Sequence, residues 1–356
     1  MSVRQVSVAN PEKNTGNIEC NLLKSLAQVA HQAGGPDPHT VTNFYVSLKS
    51  KPLALVVGPR GTGKREFVRQ FARLLTSDDP LRFLTVGGHA WWAAKSGNTA
   101  FFTEIQTRFI MAKALAVIEE ASQPQNRNRF FILCLEQISP AELFGFFTEL
   151  AEQLNSGLVN HLPMTSRIEP LLFLRNVLVI GTMDTDQFVW SDETLLSQTS
   201  VVFWPGGSTG QDIGAVPDEL RIKDRERHLL RAMIRSDVAA HAKLSRVFSP
   251  DELPHQFFAL LDGLLKSHNP HISEAWKRDI LIYLANAWSE TGEGLFAETP
   301  MANARIALDF ALKQSLLLRL DDDNDIRRRP ELRMLLCSAL DGYERSSDFL
   351  SDVATN

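Results

Sequence analysis

The chain has 356 residues, 44% hydrophobic and 22% charged, with a formal net charge of −5. That is the balance of a soluble globular protein of about two domains, and it excludes a global electrostatic footprint for nucleic acid while leaving a local basic patch open. Three widely spaced cysteines (Cys20, Cys134, Cys337), a polar N-terminus and no run of about 18 apolar residues predict a cytoplasmic protein with no disulfide framework, signal peptide or membrane partner.

Residues 1–17 read as a flexible tail. Residues 18–33 form an amphipathic helix stopped by Gly34-Gly35-Pro36, and 39–48 a second helix. His31 and His39 show no partner pattern and read as surface residues. The stretch LALVVGPRGTGKREFVRQFARLLT (53–76) is strand, glycine-rich turn and helix, the context a phosphate-binding loop requires. Glycines let the backbone N–H groups converge, and the helix adds its positive dipole end. Gly58, Pro59, Arg60, Gly61, Thr62, Gly63, Lys64, Arg65 and Glu66 are therefore the candidate nucleotide-binding residues, with Lys64 reaching the β- and γ-phosphates. The position after the lysine should carry the Ser or Thr hydroxyl that ligates Mg²⁺. It is Arg65, which has donors only. Arg65 is either a surface residue of a decayed site or a charge laid against phosphate oxygens without a conventional magnesium.

Beyond the loop, Leu81–Val86 reads as a strand. The adjacent Trp91 and Trp92 are either core and half-exposed, or an interface or ligand-stacking pair. Residues 101–122 read as a helix with Phe102, Ile105, Phe109, Ala112, Leu115 and Ile118 inward. Cys134 lies inside the buried strand RFFILCLE (129–136) and reads as a small hydrophobe. A helix over 140–155 and the strand beginning at Asn176 follow, and the polar end of that strand faces the edge where open α/β sheets bind ligands. The run PGGSTGQDIGAVPDE (205–219) marks a linker. Residues 220–247 carry interleaved charges, either a solvated helix face or a contact for a subunit or DNA. Helices are expected over 254–267, 272–289, 301–319 and 330–342. The run DDDNDIRRR (321–329) reads as a solvated charged turn.

The stretches FYVSLKSKPLALVVGPRGTGK, RFFILCLEQISPAELFGFFTEL and NVLVIGTMDTDQ resemble the AAA+ module of McrB-like restriction ATPases. So do DILIYLANAW and IALDFALKQSLLLRL, which resemble the helical lid of that family. The resemblance covers about residues 40–320. It implies an α/β AAA+ P-loop core with a parallel sheet, followed by an all-helical lid. The domains it implies are an N-terminal tail and helix (1–38), a nucleotide-binding core (39–206), a linker (207–219), and a lid with C-terminal helices (220–356). It further implies ATP or ADP as cofactor and a ring of self or related AAA+ subunits. A McrC-like effector or DNA, reached through the assembly, are the further partners it implies, in antiviral defence. Carried over, Glu136 is the catalytic glutamate and Leu135 stands where an acid should hold magnesium. Asp184 replaces the sensor asparagine, and Leu195–Ser200 lacks the arginines that reach a neighbouring subunit. A carboxylate at 184 is expected to repel phosphate unless protonated or metal-bound. An arginine finger is worth about 10³–10⁵ in rate. The expectation is therefore a retained fold with little hydrolysis, magnesium doubtful and no protein ligand set for it. An active magnesium-dependent motor and a scaffold without nucleotide are the alternatives.

Overall fold

The computed structural model describes residues 16–32, 35–77, 79–87, 112–138, 143, 174–188, 199–205, 226–248, 253–268, 275–322 and 329–355. Readings made for 1–15, Trp91 and Trp92, 101–111 with Phe102, Ile105 and Phe109, most of 140–155 and 205–219, Leu195–Gln198, and the residues 220–225 and 323–328 lie outside these.

Helix α1 (Gly16–Gln32) precedes α2 (Pro38–Ser50). Asp37 caps α2 by accepting from the N–H groups of His39 and Thr40, with Pro38 preset for the first turn. Every residue from Thr40 to Ser50 is buried, which marks a helix enclosed on all sides. His31 is exposed as expected, whereas His39 is half-buried with its ring 6.3 Å from that of Phe296.

Five parallel strands follow: β1 (Leu53–Gly58), β2 (Phe83–Gly87), β3 (Phe131–Glu136), β4 (Val177–Asp184) and β5 (Thr199–Phe203). Their spatial order is β2-β3-β4-β1-β5. The chain leaves β1 toward the β2 edge and later crosses back over β1 to reach β5. The C-terminal end of β1 is thus the switch point at which an open α/β sheet binds ligands. The second strand starts at Phe83 because Leu81 and Arg82 belong to a turn.

The strands alternate strictly between two cores. Ala54, Val56, Ile132, Cys134, Ile180 and Val202 face α3 (Lys64–Thr76) and α2. Leu55, Val57, Leu133, Leu135, Val179 and Val201 face the opposite core, which includes helix α4 (112–122). The apolar face of α4 is Ala114, Val117, Ile118 and Ala121. Ala112, expected inward, is exposed, and Leu115 is half-buried.

The remaining described elements are helical: α5 (Glu226–Ala232), α6 (Asp237–Leu244), α7 (Leu253–His268), α8 (Ala275–Asn286) and α9 (Pro300–Ala311). A π turn (Leu312–Leu317) continues α9 into α10 (Leu318–Asp322), followed by α11 (Pro330–Ala339) and α12 (Glu344–Thr355). The charged segment expected as one helix over 220–247 is broken at 233–236, where Asn286 takes over the backbone. It accepts from the N–H of Ile234 at 2.9 Å and donates to its carbonyl at 2.6 Å. These helices enclose their own core, to which Val46 of α2 contributes.

Candidate functional site at the sheet edge

The loop between β1 and α3 owes its shape to glycine. Gly61 and Gly63 both have φ of 75°, and a Cβ at either would meet nothing within 4 Å. Backbone conformation, not space, demands glycine there, and the face above the loop is open. Gly63 caps α3 without a side-chain acceptor, so the first-turn N–H groups of the helix lack a side-chain partner at the cap. Gly58 answers to a different constraint, since a Cβ there would lie 2.5 Å from the carbonyl oxygen of Trp204. Trp204 also donates its indole N–H to the Thr62 carbonyl at 3.0 Å and packs on Phe67, with ring centroids 4.7 Å apart. It braces the loop from behind, and its position at the end of an apolar run in β5 was the signal the sequence offered.

Lys64 is buried and its ammonium has three acceptors. These are the carbonyls of Gly58 (2.8 Å) and Pro59 (2.9 Å) and Oδ1 of Asp184 (2.7 Å). Arg60 donates to the other oxygen, Oδ2, at 2.8 Å. Asp184, expected only to repel phosphate, is thus a neutralised counterion of the two loop cations. The remaining loop residues hold one another: the Thr62 hydroxyl donates to the Pro59 carbonyl, and Glu66 accepts from Gln70 one turn on.

Glu136 ends β3 on the same face of the sheet. Both of its oxygens are taken by Arg69 of α3, Nε at 2.5 Å and Nη2 at 2.8 Å, and the Arg65 Nε stands 3.9 Å away. The hydrogen bonds to Glu136 push the Arg69 guanidinium further above its usual pKa. Burial, reinforced by Glu136, holds the nearby Cys134 thiol well above its ordinary value and keeps it protonated and inert. The general base expected at Glu136 is an ion-pair partner here. Arg69 was missed in the sequence, although it lies one turn beyond Arg65 on one helix face.

Leu135, placed by resemblance at the magnesium-holding acid, points to the other core and is fully buried. Gln137, just past the strand, is exposed with φ of 53°, and its N–H donates to the Thr182 hydroxyl at 3.0 Å. Thr199 and Ser200, the end of the stretch searched for a neighbour-reaching arginine, are buried in β5. Asp184 therefore meets Lys64 and Arg60, Glu136 meets Arg69 of α3, and each carboxylate is already bound to cations.

A cavity of about 460 Å³ opens beside Gly58 and Pro59, where Phe203 and Trp204 form one wall. Lys313 and Gln314, both on the π turn, and Arg345 of α12 form another. Lys313 lies over the Phe203 ring at 4.7 Å, and burial lowers its pKa despite nearby acids led by Asp309. No protein-family model matches the chain and no curated protein matches it in sequence.

Proposed function

We propose that the chain is a nucleotide-binding P-loop subunit of an oligomeric assembly, holding ATP or ADP with little dependence on magnesium and hydrolysing it slowly. The observation that carries this reading is the set of guanidinium groups around Glu136. Arg65 and Arg69 place fixed positive charge where the resemblance calls for a hydroxyl and a metal. The loop fits an anion: its glycines leave the face open, and Lys64 and Arg60 stand at its rim. A nucleotide would supply the phosphates for that cradle, and the adjoining cavity has the size and mixed aromatic and polar walls suited to a small ligand. The residues do not fit a conventional magnesium. Arg65 offers no oxygen, and both oxygens of Glu136 are held by Arg69.

The face alternation of β3 bears on the alignment. The acid that points at α3 is Glu136, and the exposed residue after it is Gln137. We infer that this pair, not Leu135 and Glu136, occupies the two-acid position of the resembled family. A metal-side glutamate bound to arginines and a glutamine in place of the water-orienting acid both favour binding over turnover. By the same resemblance, the assembly is a ring of this chain or related AAA+ subunits, with a McrC-like effector and DNA reached through it. Its setting would be a cytoplasmic bacterial defence system. That part of the proposal is fold-level analogy.

A second reading, a scaffold that takes no nucleotide, is favoured by the saturation of the Lys64 donors. Calorimetric titration of ATP and ADP, with magnesium and with chelator, separates the readings. The expected result is binding that changes less than about threefold on chelation and falls at least tenfold in Lys64→Ala. Equal binding by wild type and Lys64→Ala would show that the loop is not the site. No binding by wild type or Asp184→Asn would establish the scaffold. Magnesium-dependent turnover of several per second would establish the motor.

A further inference from the structure

The break between α5 and α6 holds a charge the chain leaves unanswered. Arg235 Nε and Nη1 are enclosed and have no hydrogen-bond partner, while Nη2 makes two weak contacts, 3.4 Å to the Leu48 carbonyl and 3.9 Å to the Met233 sulfur. A buried guanidinium without acceptors is costly. The charged neighbour that acts on it makes matters worse. Arg175 is another cation, and it donates Nη2 to the carbonyls of Met233 and Arg231. Burial and, after it, Arg175 bring the Arg235 pKa down to about 10. Beside Arg235 lies a cavity of about 450 Å³, lined also by Arg175, Arg231 and Ser236, with no carboxylate among its described lining residues. Ser236 caps α6, an eight-residue helix whose positive end adjoins the same space. The one acid close in sequence, Asp237, turns its Oδ1 to the N–H of Val238 at 2.9 Å. Asn286 fixes the segment by bonding both sides of the Ile234 backbone, so the cavity is held in shape.

We propose that this cavity is a second anion site, remote from the phosphate loop in sequence, that takes a phosphate group between Arg235, Arg175 and Arg231. Arginine suits it because the planar fork matches phosphate oxygens two at a time. Arg175 now spends one nitrogen on backbone carbonyls, and its movement onto the phosphate would uncover the enclosed nitrogens of Arg235. The same chemistry is offered by free phosphate and by a nucleic-acid backbone.

The test uses the full chain with two probes, inorganic phosphate followed by thermal melting, and a duplex oligonucleotide followed by fluorescence anisotropy at several salt concentrations. Phosphate at about ten times its Kd should raise Tm by roughly 2 °C. The rise should persist in Lys64→Ala, which separates it from the loop, and vanish in Arg235→Met. Arg235→Met should itself melt higher than wild type without phosphate, since it removes an unpaired buried charge. Arg231→Gln, at an exposed position, keeps the test open if Arg235→Met fails to fold, and it should weaken phosphate affinity about tenfold, cutting the rise at the same phosphate concentration to roughly a third. If duplex DNA also binds, with a salt slope that falls by about one in Arg231→Gln, the phosphate belongs to nucleic acid. A response to phosphate without DNA binding assigns a free phosphate. A phosphate response unchanged in both arginine variants, or no response to either probe in wild type, overturns the proposal.

Discussion

Asp184 is a carboxylate at the rim of the proposed phosphate site, and its two oxygens hold Lys64 and Arg60 in place. A phosphate reaching Lys64 must displace one of these contacts or accept a nearby negative charge. Asp184→Asn keeps the shape, removes the charge and releases the ammonium. Its ATP affinity should rise by about tenfold or more, measured by calorimetry, whereas an unchanged or weaker affinity would mean that Asp184 organises the loop for its ligand. Leu135→Asp would push a carboxylate into the core around Val57 and Leu133 and should destabilise the protein by several kcal/mol without restoring activity. Arg65→Thr combined with Gln137→Glu changes groups at the exposed edge instead. That pair should raise ATP hydrolysis above wild type in the presence of magnesium and a subunit supplying an arginine. A higher rate in the Leu135→Asp protein would restore the original alignment. The sequence carried the loop plainly, because spacing within a strand-turn-helix is local, whereas Glu136 and Asp184 were singled out only through the resemblance. It did not carry their ion pairs, since Arg69 meets Glu136, 67 positions away, only once α3 packs on β3.

Elements were legible where periodicity was strong and blurred where partners decide. Helix α3 buries Phe67, Phe71, Leu74 and Leu75, as its apolar stripe predicts. In α4 many positions are apolar, so the inward face was set by what it meets, and the register moved from Ala112 to Ala114. Helix α12 escaped notice because its segment, ERSSDFLSDVAT, is polar. It is anchored through Asp309, which accepts from the N–H groups of Arg345 and Ser346. The loop itself depends on two elements that the sequence does not join, β1 and the end of β5. Gly58→Ala would drive a Cβ into the Trp204 carbonyl and force the strands apart, at a cost of about 1–3 kcal/mol. Gly63→Ala meets no obstacle and should cost only about 1–2 kcal/mol for its left-handed backbone. Urea denaturation should therefore rank Gly58→Ala the same or worse, with Trp204→Phe, which loses the bond to Thr62, weakening nucleotide binding in parallel. A Gly63→Ala far more damaging than Gly58→Ala would show that the space above the loop is not open.

Helix α2 joins the sheet to the helical half, and charge is buried where they meet. Lys49 is fully enclosed and bonds Glu19 of α1 at 2.8 Å and the Asn286 and Trp288 carbonyls at 3.1 and 3.3 Å. Lys243 of α6 donates to the same Trp288 carbonyl at 2.7 Å. Breaking such a pair strands a charge, so Glu19→Gln should lower stability by about 3–5 kcal/mol, and adding Lys49→Met should recover much of it. The crowding of ammonium groups also makes stability depend on pH. Burial first, and the Lys49 charge second, bring the Lys243 pKa from 10.5 down to about 7, while Glu19 and Glu290 pull the other way. Below pH 7 the lysine is charged in both states, and the folded state bears the cost of enclosing it. Above pH 7 the folded protein sheds this proton while the unfolded chain keeps it up to about 10.5, so stability rises with pH through that window. One proton contributes at most about 1.4 kcal/mol per pH unit. The rise should be clearest between about pH 7 and 8.5, because higher up the thiols of Cys20 and Cys134, whose pKa burial raises, ionise first in the unfolded chain and oppose it. Urea midpoints for wild type should thus climb from pH 6.5 to 8.5. Lys243→Met should start higher at pH 6.5 and lose that slope, since a buried thioether carries no proton to shed. Parallel curves for the two proteins would mean that Lys243 stays charged beside Lys49, and that the Trp288 carbonyl and Glu19 suffice to hold two ammonium groups at the junction.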